Sequence, residues 1–148
     1  MNQPADIGRI MEQRIDAVFQ HAPIVQHLGI QLQQLQTGWC KTRMAVGEQH
    51  LQHLGVVHGG VLGIFAGHTA LAAAMSLDEQ ESTFVAPDFN ISIMRSASEG
   101  VLVAEAQVLS SGRKTVFVRV DIRQGKTAGG HLLASGRFTL SRIRKSKP

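Results

Sequence analysis

GGVLGIFAGHTALAAAMSL, residues 59–77, carries no charged side chain, and the uncharged run begins earlier, at Leu51. A run of that length is long enough to cross a bilayer. His50, Gln52, His53, His58 and His68, with glycines 55, 59, 60, 63 and 67, lower its hydropathy well below that of a spanning helix. No aromatic or Lys/Arg anchors flank it. The stretch therefore reads as a core helix, with Ala70–Met75 rich in strong helix formers. It is apolar on nearly every face, and a helix without a polar face needs protein around it.

The flanking sequence supplies that surround. Downstream, runs near 83–94, 101–110, 115–123 and 131–143 are rich in Val, Ile and Phe. Several alternate with polar residues, as in Val116, Val118, Val120 and Ile122. Turn signals separate them at Ser98-Glu99-Gly100, Ser110-Ser111-Gly112, Gln124-Gly125-Lys126 and Gly129-Gly130. Upstream, residues 5–20 recur at helical spacing (Ile7, Ile10, Met11, Ile15, Val18, Phe19), and His21-Ala22-Pro23 ends that helix. Strand-like runs follow at 27–36 and 39–47, split by Thr37-Gly38, with a connector over 48–57. Strands at hairpin spacing on either side of one buried helix predict an α+β fold, a mainly antiparallel sheet curled around that helix. Residues 1–148 read as a single domain, with an N-terminal helix inside 1–22 and a basic tail over 143–148.

Composition narrows the class. The 148 residues are 43% hydrophobic and 18% charged, which excludes a disordered or fibrous chain. One cysteine, Cys40, builds neither a disulfide framework nor a structural zinc site. With no apolar signal-peptide run at the N-terminus, a cytoplasmic location is expected. Residues 96–148 hold ten Lys/Arg against three Asp/Glu, whereas residues 1–95 hold five against eight. A basic C-terminal half suits a polyanion, either nucleic acid or the phosphates of a nucleotide. The absence of Tyr, the single Trp and the lack of aromatics between the basic positions argue against nucleic acid.

Chemistry concentrates at the start of the central helix, Gly55-Val56-Val57-His58-Gly59-Gly60-Val61-Leu62. Two glycines there leave the first N–H groups approachable, a setting that favours a carbonyl oxygen gaining negative charge. The alternative reading is that the same glycines only let the buried helix pack tightly against the sheet. HGG-V-L before an Ala-rich helix resembles the hotdog-fold acyl-CoA thioesterases of the phenylacetate (PaaI) and acyl-CoA thioesterase 13 type. Asp88-Phe89-Asn90-Ile91 through Ala97 is similar to the strand that follows the helix in that family, with Ser96 where Pro is usual. Gly112-Arg113-Lys114-Thr115 and Ala134-Ser135-Gly136-Arg137 resemble its later signatures.

The resemblance implies a hotdog homodimer, or a dimer of dimers, whose sites lie between subunits and take acyl-CoA. It implies neither membrane nor nucleic acid as partner, and no cofactor or metal beyond the coenzyme A of the substrate. By the same resemblance the Gly59 N–H, after His58, polarises the thioester carbonyl, and Gln52 holds the thioester or the water. Gly60, Asp88 and Asn90 are expected around the substrate. Arg113 and Lys114, at an exposed turn, are expected on the coenzyme A phosphates. The pattern departs from the family nine residues after His58, where Gly67 replaces an Asp or Glu, and at Ala86, which replaces a Ser or Thr. His68 is adjacent and has two readings, as the general base or as a hydrogen-bonded residue at the dimer seam. Binding of acyl-CoA without turnover is the second functional reading, and a basic nucleic-acid-binding module the third. His50, His53 and His58 lack a supporting carboxylate or thiol for a metal site.

Overall fold

The computed structural model describes residues 4–77, 82–125 and 129–144. Helices α1 (Pro4–His21) and α2 (Pro23–Leu28) lead into strands β1 (Ile30–Gln36) and β2 (Trp39–Ala45). Helix α3 (Gly59–Met75) follows, then β3 (Ser82–Ile93), β4 (Val101–Ser111), β5 (Thr115–Gln124) and β6 (His131–Arg144). The six strands form one sheet in the order β1-β2-β4-β5-β6-β3, antiparallel throughout. Since β2 is second from one edge of that order and β3 is the opposite edge, the chain crosses the sheet through α3. This is the antiparallel sheet around one long helix that the sequence pattern predicts, and the hotdog arrangement that the resemblance implies.

Alternation fixes which face of the sheet meets the helix. Val116, Val118, Val120 and Ile122 of β5 are buried, as are Leu102, Ala104 and Ala106 of β4, and they pack with Phe65, Ala66, Ala72 and Ala73 of α3. Buried hydroxyls pin the helix in place. Thr69 Oγ1 donates to Phe65 O at 2.8 Å and meets Thr42 Oγ1 of β2 at 2.6 Å. Ser76 Oγ, just past the helix, donates to Ala73 O and accepts the Gly38 N–H from the β1–β2 turn, at 2.7 and 2.8 Å. Cys40 lies fully buried on β2, and desolvation pushes its thiol up to about 12.

Several expectations need correction. Residues 23–28 are helical, so the first strand begins at Ile30 and not at residue 27. Pro23 starts the short helix, Val25 and Leu28 bury one side of it, and Gly29 ends it with φ 67°. Ile143 and Arg144 finish β6 and are not part of a tail, while residues 145–148 lie outside the described residues. The expected Lys126 turn position and the Asp78–Glu81 link also lie outside them. Finally, α3 is not enclosed on every face. Gly60, Ile64, Gly67, His68 and Leu71 form a less buried stripe along one side.

Candidate active site

That stripe borders a cavity of about 540 Å³ between α3 and the inner faces of β3 and β6. Glycine makes the room, because positions 60, 63 and 67 fall on the same side of the helix. A Cβ at Gly67 would sit 3.4 Å from a ring carbon of Phe138, and one at Gly63 would sit 3.7 Å from Phe89. Phe89 and Phe138, paired across β3 and β6, stack at 5.1 Å with ring planes 3° apart. Ile24 of α2 reaches the cavity from outside the sheet. The lining is apolar except near the helix start and at His68.

His58 caps α3. Its Nδ1 accepts the Gly60 N–H at 2.8 Å, so the ring proton resides on Nε2. The Gly60 N–H is thereby occupied, and the Gly59 N–H has no partner among the described residues. Ile93 Cδ1 lies 3.0 Å from where a Cβ of Gly59 would be, so a larger residue there would push that half-exposed side-chain tip aside by a few tenths of an ångström. The cavity thus opens onto one free backbone donor backed by a 17-residue helix.

His68 lines the same cavity nine residues further along. Phe19 of α1 meets its ring edge-on at 6.5 Å. Its Nδ1 is buried without a hydrogen-bond partner, and no other described residue bonds the ring. Desolvation lowers its pKa below the ordinary value of 6.5, which keeps the ring neutral at pH 7.

Other expected site residues do not line this cavity within the one subunit. Gln52 turns its Oε1 to the Leu54 N–H within its own tight turn. Asp88 and Asn90 are exposed on the opposite face of β3 from Phe89 and Ile91, which line the cavity. A bulge between Val85 and Asp88 sets that parity. Arg113 and Lys114 are exposed at the β4–β5 turn, where Arg142 N donates to Lys114 O. Nine strand residues, about 30 Å, separate that point from Leu133 near the helix start.

His50 belongs to the scaffold. It accepts the Gly47 N–H at Nδ1 and donates from Nε2 to Leu28 O, both at 2.8 Å. Among the described residues no three His, Cys, Asp or Glu side chains gather to hold a metal ion, and no helix is long and apolar enough to cross a membrane. Ile24 and Gly63 are contributors that motif reading missed, and Gly67 entered it only as the place of an absent carboxylate. The i, i+3, i+7 spacing of Gly60, Gly63 and Gly67 was the signal available for the glycines.

Comparison with known proteins bears on this geometry. The sequence profile of the Thioesterase superfamily matches residues 54–130. Mouse acyl-coenzyme A thioesterase 13 is 35% identical over 97 residues, 65% of this chain and 67% of that one. The fold superposes on a thioesterase of Haemophilus influenzae with a TM-score of 0.81 and 27% identity, covering 91% of this chain and 92% of that one. It superposes on PaaI from the phenylacetic acid degradation operon of Escherichia coli with a TM-score of 0.82 and 24% identity, covering 93% and 96%. With over half its residues matched by that profile, the free Gly59 donor among them, the chain belongs to the thioesterase superfamily.

Proposed function

We propose that the chain hydrolyses the thioester of an acyl-CoA, and the observation that carries this reading is the free Gly59 N–H opening onto an apolar cavity. The donor meets the thioester oxygen as it becomes an oxyanion, and the helix behind it favours that charge. Water attacks the carbonyl carbon, the C–S bond breaks, and the products are the free acid and the thiol of coenzyme A. No cofactor is needed beyond the coenzyme A of the substrate.

The base is supplied from a second subunit. Gly59 and His68 of one helix are about 13–14 Å apart along its axis, too far to serve one carbonyl. An antiparallel partner helix brings its own His68 toward Gly59. Edge strand β3 supports such a partner, because Val85, Phe89, Ile93 and Met94 are each about half exposed on it or just beyond it. We read the assembly as a homodimer or dimer of dimers, eluting as such at micromolar concentration. A stable monomer would remove the proposed site.

Gly67 favours a second reading, in which acyl-CoA is bound and scarcely turned over. The wild type lacks the carboxylate that activates water in similar enzymes, and general base work contributes about 10²–10⁴ in rate. A hydrolysis screen over short, medium, long and aromatic acyl-CoAs, detected by released thiol, separates the two. Release well above the uncatalysed rate establishes the enzyme. Tight binding without release establishes the binding protein.

A further inference from the structure

His50 is a buried ionisable residue that the reaction above leaves unused, 1% exposed and bonded at three points. Its Nδ1 accepts the Gly47 N–H and closes the first turn of the connector between β2 and α3. Its Nε2 reaches across to the last carbonyl of α2, Leu28 O. Its own carbonyl accepts the His58 N–H at 2.8 Å. Leu51 pairs with Val57 and the Gln52 N–H donates to Val56 O, so the residues from His50 to His58 form a closed turn. His58 then caps α3 and leaves the Gly59 N–H open. On the other side, Leu28 lies about one helical turn after Ile24, the α2 residue that walls the cavity. Space filling alone would be met by an apolar side chain, without the cost of burying an imidazole. The ring instead commits both nitrogens to main-chain groups of the two segments that flank the cavity.

We propose that His50 is a positioning residue for thioester cleavage, holding the Gly59 donor and the Ile24 wall in one fixed relation, so that acyl length is read against the donor. This rests on the acyl-CoA reading above. Nδ1 holds Gly47, and with it the connector that carries His58 and the donor. Nε2 holds α2, and with it the wall. A displaced donor lowers the rate for every substrate alike, because the oxyanion forms at one point. A displaced wall changes how tightly acyl groups of different length are held and leaves the bond-breaking step as it was.

Two amide variants of the full chain separate these roles. His50→Asn sets a carbonyl oxygen close to the place of Nδ1, keeps the Gly47 bond and falls short of Leu28. His50→Gln sets its amide nitrogen close to the place of Nε2, keeps the Leu28 bond and leaves Gly47 without an acceptor. Thiol release is followed with short, medium and long acyl-CoAs, and each rate is scaled to the folded fraction from urea unfolding. His50→Asn should hold kcat within about twofold and flatten the kcat/KM ratio between acyl lengths about tenfold. His50→Gln should lower kcat about tenfold for all lengths and keep that ratio. Thr69→Val, which loses a buried hydrogen bond on the sheet side, is the control for plain destabilisation and should change neither. Unchanged kcat in His50→Gln, an unchanged length ratio in His50→Asn, or the same change in both overturns the proposal. If either amide variant fails to fold, the half-exposed Ile24 carries the test: Ile24→Ala should shift the preference toward longer acyl groups, and no shift overturns the proposal. If wild type binds acyl-CoA without release, the ratio is read from Kd. Flattening in His50→Asn alone then upholds the role, and any other pattern overturns it. A wild type indifferent to acyl length leaves the thioesterase reading standing and removes this one. If it neither binds nor hydrolyses acyl-CoA, both fall.

Discussion

Thr69 and His68 are neighbours in sequence and opposites in circumstance. Thr69 faces the sheet, fully buried, its hydroxyl shared between Thr42 and the Phe65 carbonyl. His68 faces the cavity, with a buried ring nitrogen that no described residue bonds. A buried polar group without a partner costs about 1–3 kcal/mol, so a chain that satisfies one and leaves the next unmet is not optimised for stability at that place. One side of α3 holds the fold and the other borders the cavity.

The sharpest way to break the comparison is His68→Ala. As the base, His68 is worth about 10²-fold in turnover, with loss of the acid limb of the pH–rate profile, while unfolding free energy barely falls. Unchanged turnover would return His68 to the scaffold and place the base elsewhere. Gly67→Asp tests the same face from the other direction. A Cβ fits there, 3.4 Å from Phe138, and a carboxylate should raise kcat by about tenfold or more over a weak wild type. Its desolvation should lower stability unless the substrate site keeps it wet, which denaturant unfolding will report.

The contrasting side predicts the reverse pattern. Thr69→Val should cost about 1–3 kcal/mol in urea unfolding, because Thr42 loses its hydroxyl partner, and leave turnover per folded molecule unchanged. The smallest effect is the pH dependence of stability. Burial holds the His68 pKa below 6.5, so the unfolded chain binds more protons just under that value. Stability should be full above about pH 6.5, decline as pH falls through the lowered native value, and flatten below it. Comparing wild type with His68→Ala isolates that slope, and identical curves would show that the ring is not desolvated.

What sequence reveals divides along the same line. The uncharged run and the hairpin spacing of the later strands announce the fold, because burial and turns are written locally. Helix α2 is six residues long, too short for its period to show, and Ile24-Val25 looks like a strand. The side of β3 taken by Asp88 and Asn90 is hidden because the bulge after Val85 shifts its alternation. His58 and Gly59 are legible as a motif. That the free donor belongs to Gly59 and not to Gly60 is visible only once the His58 ring is seen to take the Gly60 N–H.

The burial of Cys40 has a practical corollary. A thiol held near 12 has almost no thiolate at neutral pH and no route to an electrophile while the sheet is closed. It will therefore stay silent beside the thiol liberated from a substrate. It becomes reactive only when the fold opens around β2, so the rate at which a maleimide or a disulfide reagent consumes it counts openings of that part of the sheet. The chain thus carries its own clock of sheet opening, readable in the same cuvette as its chemistry.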